Sequence, residues 1–297
     1  VLVGSWTLGM PGSPATFYAR LAATVEQSRY DMLFVGDHLF AAGPSVDSLT
    51  LAASLAARTE RVLIGTGVLQ LALREPVATA KQIATIDCLS DGRFVLGVGV
   101  GGEFADEWNA AGVPRERRGE RLDECLALAR SLWSGRPVAH RGPFREVSGV
   151  VGSPLPGNPG GPPIWVGGRS DAALRRAARH DGWLAYASSP HRIRATILKL
   201  DDLRPREASA FRIGAVVFTN VAGASQQARR NAAQILGKRY GQDFDRFIDA
   251  FCAVGSPDAV LERLAEFRAA GVDDLFICPQ CPAEEFLDQV EAAEALF

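Results

Sequence analysis

The stretch VLGVGVGGEF, residues 95–104, reads as a buried strand that empties into a glycine-rich loop. Its apolar half has no polar alternation, as expected of a strand covered on both faces. Gly99, Gly101 and Gly102 then remove side chains where a ligand could approach the backbone. PPIWVGGRS, residues 162–170, repeats the pattern, ending in Gly167 and Gly168 just before a helix. Two glycine-floored strand ends point to a ligand lying across the top of a parallel barrel.

Outward from these stretches, strand-like and helix-like segments alternate. The pattern predicts strands over 2–6, 32–35, 62–66, 94–98, 164–167, 183–186, 212–220 and 275–278. Helical periodicity covers 14–28, 48–59, 76–89, 115–133, 171–180, 190–203, 225–251 and 283–296. Eight strands, each followed by helix, give an α/β chain of the (β/α)8 TIM-barrel class. A further helix over 257–270 is bracketed by Ser256, Pro257 and Gly271. Residues 134–163, rich in Gly and Pro, break the alternation and read as an irregular insertion after the fourth helix. Neither a linker nor an internal repeat divides the chain, so 1–297 reads as one domain.

Hydrophobic residues make up 47% of the chain, enough for a large core, and a net charge of −2 gives no broad basic surface for nucleic acid. No apolar run reaches the roughly 18 residues needed to span a bilayer. VLVGSWTLGM at the start reads as a first strand, not a signal peptide. Five cysteines, an odd number, fit a reducing cytoplasm. Cys278 and Cys281 form one C-x-x-C without the further ligands a zinc site needs, so they read as packing and loop residues.

Asp37 and His38 directly follow the strand MLFV, where barrel active sites collect. A histidine there can exchange a proton near neutral pH, and the carboxylate can anchor a ligand donor. The alternative is a loop-capping pair. Gly97, Gly99 and Gly102 spell G-x-G-x-x-G, but three strand–helix units precede them, which a dinucleotide fold would not place there. Glu103 is either an acid beside that loop or a solvated carboxylate in the next helix turn. Gly167, Gly168, Arg169 and Ser170 form a turn before a helix, suited to a phosphate, or serve geometry alone.

With these residues in view, the chain resembles the luciferase-like monooxygenase family over nearly its whole length. The resemblance rests on Gly36-Asp37-His38, on IGTGVLQLALREPVATAKQIATIDCLSDGRFVLGVGVGG (64–102), on RGERLDECLALARSLWSG (118–135), on PPIWVGGRSDAALRRAARHDGW (162–183) and on SPDAVLERLAEFRAAGVDDLFI (256–277). It implies a (β/α)8 barrel, commonly dimeric, acting on a small-molecule substrate with no membrane or nucleic-acid partner. An isoalloxazine-type ring would lie on a bulge after the third strand, at Gly67, Val68 and Gln70, which in many relatives contains a non-proline cis peptide. Gly101 and Gly102 would give the ring room, and Gly167, Gly168, Arg169 and Ser170 would hold phosphate. Relatives of bacterial luciferase use reduced FMN and often carry Glu-His-His where this chain has Asp37-His38-Leu39. Relatives using coenzyme F420 commonly carry Asp-His, the Asp touching the deazaflavin and the His beside its reacting carbon. By that resemblance the chain is expected to be a cytoplasmic F420-dependent oxidoreductase with His38 and Glu103 as catalytic groups. FMN-dependent oxygenation is the alternative. Glu103 falls one position beyond the acid of some relatives.

Overall fold

A computed structural model describes residues 1–4, 12–40, 45–101, 104–204, 211–223 and 225–297. Strands are β1 (Leu2–Val3), β2 (Met32–Val35), β3 (Leu63–Thr66), β4 (Phe94–Val98), β5 (Pro137–Arg141), β6 (Glu146–Val151), β7 (Ile164–Gly167), β8 (Gly182–Ala185), β9 (Arg212–Val221), β10 (Cys252–Gly255) and β11 (Asp274–Pro279). Helices are α1 (Pro14–Gln27), α2 (Ser48–Ala56), α3 (Pro76–Leu89), α4 (Ala105–Ala111), α5 (Arg118–Trp133), α6 (Asp171–Ala177), α7 (Pro190–Leu203), α8 (Ser225–Tyr240), α9 (Ile248–Phe251), α10 (Pro257–Ala269) and α11 (Phe286–Glu294). All strands but β5 and β6 join one parallel sheet, in the order β1-β2-β3-β4-β7-β8-β9-β10 with β11 also paired to β9. The sheet curls until β1 packs beside β11, as in a TIM-like barrel flanked by helices.

Alternation along the strands separates two cores. Leu2, Phe34, Val95, Trp165, Leu184, Val216 and Phe276 point inward and cluster together. Their neighbours Val3, Val35, Phe94, Leu96, Val166, Trp183 and Ile277 pack outward under the helices. Phe34 and Phe276 meet at a tilt of 45° with ring centroids 4.5 Å apart, and Trp165 meets Phe276 edge-on at 6.0 Å. Several helix starts are encoded locally. Glu75-Pro76, Ser189-Pro190 and Ser256-Pro257 each put a side-chain acceptor before a first-turn proline.

Three expectations need correction. The insertion is not wholly irregular, because β5 and β6 pair as an antiparallel hairpin within it. The helix expected over 225–251 stops at Gly241, whose φ of 63° ends α8, and resumes only as a short turn and α9. After it comes β10, an unexpected strand. Both β8 and β10 pair with β9 on the edge opposite β11, β8 at residues 212–215 and β10 at 218–221. The strand expected over 2–6 is seen as Leu2–Val3; its remainder extends beyond the described residues.

Between β3 and β4 the ladder slips. Gly65 faces Val95 but Leu69 faces Val98, so four steps on one strand match three on the other, as in a β-bulge. The peptide between Gly67 and Val68 is cis. Leu69 rejoins β4 by accepting from the Gly99 amide at 3.0 Å and donating to the Gly97 carbonyl at 2.8 Å. A β-carbon at Gly97 would stand 1.9 Å from the Thr66 carbonyl, a backbone atom that cannot yield. Gly97→Ala is therefore expected to lose about 3 kcal/mol in urea unfolding, whereas Gly223→Ala, with no atom within 4 Å of its β-carbon, should stay within about 0.5 kcal/mol.

Candidate functional site

The carboxyl ends of β2, β3, β4 and β7 bring the expected residues to one rim. The glycines there serve the bulge first. A β-carbon at Gly99 would stand 2.6 Å from Val68 Cγ2, and one at Gly167 would stand 3.0 Å from Val68 Cγ1. Val68 thus fills a hollow made by glycines on β4 and β7, and stays half-buried at the mouth of the barrel. Gly101 has φ 63°, and a side chain there would collide with Gln70 Oε1 at 2.0 Å.

Around this floor lies a buried polar network. Asp37 Oδ1 accepts from Ser48 Oγ at 2.8 Å and from Arg74 Nη2 at 2.8 Å, while Oδ2 accepts from the Gln70 amide at 2.9 Å. Arg74 also pairs with Asp47 at 2.8 Å, so one guanidinium ties the end of β2 to the cap of α2. Asp37 is internally satisfied.

Glu107 in α4 is a group that reading the sequence missed. Its Oε1 accepts from the amides of Leu39 at 2.6 Å and Phe40 at 3.0 Å. Its Oε2 lies 3.2 Å from His38 Nδ1 and 3.2 Å from Gln70 Nε2. Burial opposes the charge on Glu107, but the Phe40 amide, His38 and Gln70 outweigh it and hold the carboxyl below its ordinary value of 4.5. The two Gln70 amide hydrogens have acceptors in the Asp37 carbonyl, at 3.0 Å, and in Glu107. With these engaged, His38 Nδ1–H donates to Glu107, which puts the basic nitrogen of the ring at Nε2. Phe104 braces the imidazole edge-on, with centroids 5.2 Å apart.

Just after β7, Gly168 and Arg169 are exposed, and Ser170 Oγ caps α6 by accepting from the Ala173 amide at 3.2 Å. Arg169 reaches the Ala187 carbonyl at 3.4 Å. Gly102 and Glu103 lie outside the described residues. Cys278 and Cys281 carry free thiols, which burial pushes up to about 11 and about 12. A cavity of about 300 Å³ lies outside the barrel, lined by Arg74, Arg121, Glu124, Phe144 and Arg145; it shares Arg74 with the network. Among the described residues no helix is long and apolar enough to cross a membrane.

A lowered folded value means that Glu107 stabilises the protein fully above pH 4.5 and that this contribution is lost as pH falls through the depressed value. Glu107→Gln should therefore lower stability at neutral pH by about 2 kcal/mol and flatten the loss of stability in acid, as measured by urea unfolding across the acid range.

The family model described as luciferase-like monooxygenase matches residues 3–274. An FMNH2-dependent dimethylsulfone monooxygenase of Pseudomonas putida is 26% identical over 295 residues, covering 86% of this chain and 80% of the relative. An F420-dependent glucose-6-phosphate dehydrogenase of Beutenbergia cavernae is 36% identical over 192 residues, covering 60% of this chain and 55% of the relative. Among solved structures, monooxygenase RslO1 from Streptomyces bottropensis superposes with a TM-score of 0.85 at 23% identity, over 99% of this chain and 97% of that one. A rim built on a glycine-seated bulge, on the barrel these structures share, thus belongs to a chain of the luciferase-like monooxygenase family of flavin- and deazaflavin-dependent oxidoreductases.

Proposed function

We propose that the protein is a monooxygenase that uses reduced FMN and dioxygen on a small organic substrate. The observation that carries the choice is Asp37. The deazaflavin reading asks its carboxylate to meet the cofactor, yet both oxygens are already taken by Ser48, Arg74 and the Gln70 amide. Asp37 then acts as a positioning residue. The likeness to the dimethylsulfone monooxygenase, which spans most of both chains, supports the same reading.

The residues fit such a group. Val68, half-buried on its glycine seat, offers an apolar cushion at the barrel mouth, and Gly67 and Gln70 flank it. Gly101 keeps the end of β4 close to Gln70, and Gly102, which follows it in the sequence, would give the ring room. Exposed Gly168 and Arg169, with Gly167 and Ser170, would take the phosphate. Bound there, reduced flavin would supply two electrons to dioxygen, one oxygen atom passing to substrate and the other leaving as water. His38 would exchange the accompanying proton at Nε2, held in register by Glu107.

A second reading, hydride transfer with F420, draws on the Asp37-His38 pair and on the likeness to the F420-dependent glucose-6-phosphate dehydrogenase. Anaerobic fluorescence titration separates the two. Reduced FMN is expected to bind and F420 not to displace it; saturable F420 binding without FMN binding would reverse the assignment. His38→Ala should bind FMN as the parent does but slow oxygen-coupled turnover by about 100-fold or more. An unchanged rate would remove His38 from the proton path.

A further inference from the structure

On the outer side of the barrel, a cavity of about 300 Å³ lies between the start of α3, the end of α4, one face of α5 and the turn joining β5 to β6. Glu75, Gly112 and Arg145 are exposed where it opens to solvent, so a dissolved ligand can enter. Its walls are mixed. Leu73, Pro76, Val113, Leu128 and the ring of Phe144 give apolar surface, and Arg74, Glu75, Arg121, Glu124 and Arg145 stand among them.

Four of these five charged groups are matched. Arg74 pairs with Asp37 and with Asp47, each at 2.8 Å. Glu75 pairs with Arg145 at 2.7 Å and also accepts from the Ala78 amide at 2.7 Å. Glu124 accepts from the amides of Phe144 at 3.0 Å and Arg145 at 2.8 Å, and lies 3.1 Å from His140 Nε2. It thereby fastens the turn between β5 and β6 to α5.

Arg121 is the exception. Its Nε donates to the Ala72 carbonyl at 2.7 Å, and its Cζ stands 5.8 Å from the centre of the Phe144 ring. No carboxylate of the described residues pairs with it. The side chain is half-buried, and the four N–H groups of its two terminal nitrogens remain for an acceptor. A guanidinium so withdrawn from water is best met by a charged acceptor with two oxygens, whose spacing matches its fork. The other walls limit what carries that acceptor. The apolar side chains admit a compact hydrocarbon, in a volume at the low end of small-molecule pockets. A second negative charge on the ligand would face Glu75 and Glu124.

We infer that this cavity binds a small monocarboxylic acid with an apolar body, its carboxylate forked on Arg121 and its hydrocarbon against Phe144 and Leu128. The site is separate from the rim, so its occupancy does not depend on the flavin reading.

Calorimetry of the full chain with benzoate, benzamide and inorganic phosphate tests it. Benzoate is expected to bind with a Kd of about 1 mM or tighter, and benzamide and phosphate at least about tenfold more weakly. Loading the rim with FMN should leave these affinities unchanged. Arg121→Met should abolish the preference for benzoate over benzamide. Arg130 is exposed on α5, pairs with Asp181 and does not line the cavity, so Arg130→Met should keep that preference. Where Arg121→Met fails to fold, Val113→Trp decides instead, because the larger ring fills the cavity and should abolish benzoate binding. No binding of benzoate, equal affinity for benzamide or phosphate, displacement of benzoate by FMN, a preference that survives Arg121→Met, or benzoate binding that survives Val113→Trp would overturn the inference. If the protein binds no FMN, the flavin reading fails, and the benzoate comparison still decides the cavity.

Discussion

Val68 seated among Gly97, Gly99 and Gly167 is the contact on which the rest of the rim depends. The extra residue in β3 has to go somewhere, and only strands without β-carbons at those positions can accept it. Once the bulge is seated, Gln70 is carried over the end of β2, where its amide meets Asp37 and its side chain meets His38 and Glu107. Steric absence on β4 and β7 thereby sets the electrostatics on β2.

That electrostatic arrangement has a division of labour. Arg74 pairs with both Asp37 and Asp47 and so ties the end of β2 to the cap of α2. Glu107, far along the chain, orients the imidazole and satisfies the amides of Leu39 and Phe40. Neither carboxylate needs to touch a ligand for the site to depend on it. Polar groups that hold a histidine ring in one tautomer are as much a part of proton transfer as the ring itself.

The parallel sheet was legible because its strands are short apolar runs bounded by glycine and helix caps, and such runs have few other destinations. The hairpin of β5 and β6 was not, since both strands expose most of their residues and carry no sustained alternation. β10 escaped because CAVG continues the apolar pattern of the helix before it, and only pairing with the upper end of β9 makes it a strand. At the site, Asp37, His38 and the bulge were readable from their places after strands. The glycines were read as space for a ligand, yet Gly97, Gly99 and Gly167 accommodate Val68, and Gly101 accommodates Gln70. Glu107 carries no local motif; its place in the site arises from His38, a partner 69 residues away that the barrel brings near.

The central claim is that this rim, and not the cavity beside Arg74 and Arg121, cradles the flavin. A crystal structure of the protein grown with FMN tests it most directly. The expected result places the ring against Val68, with His38 at its edge and the phosphate at Gly167–Ser170. Flavin density in the outer cavity, or at the amino-terminal face of the barrel, would contradict the account.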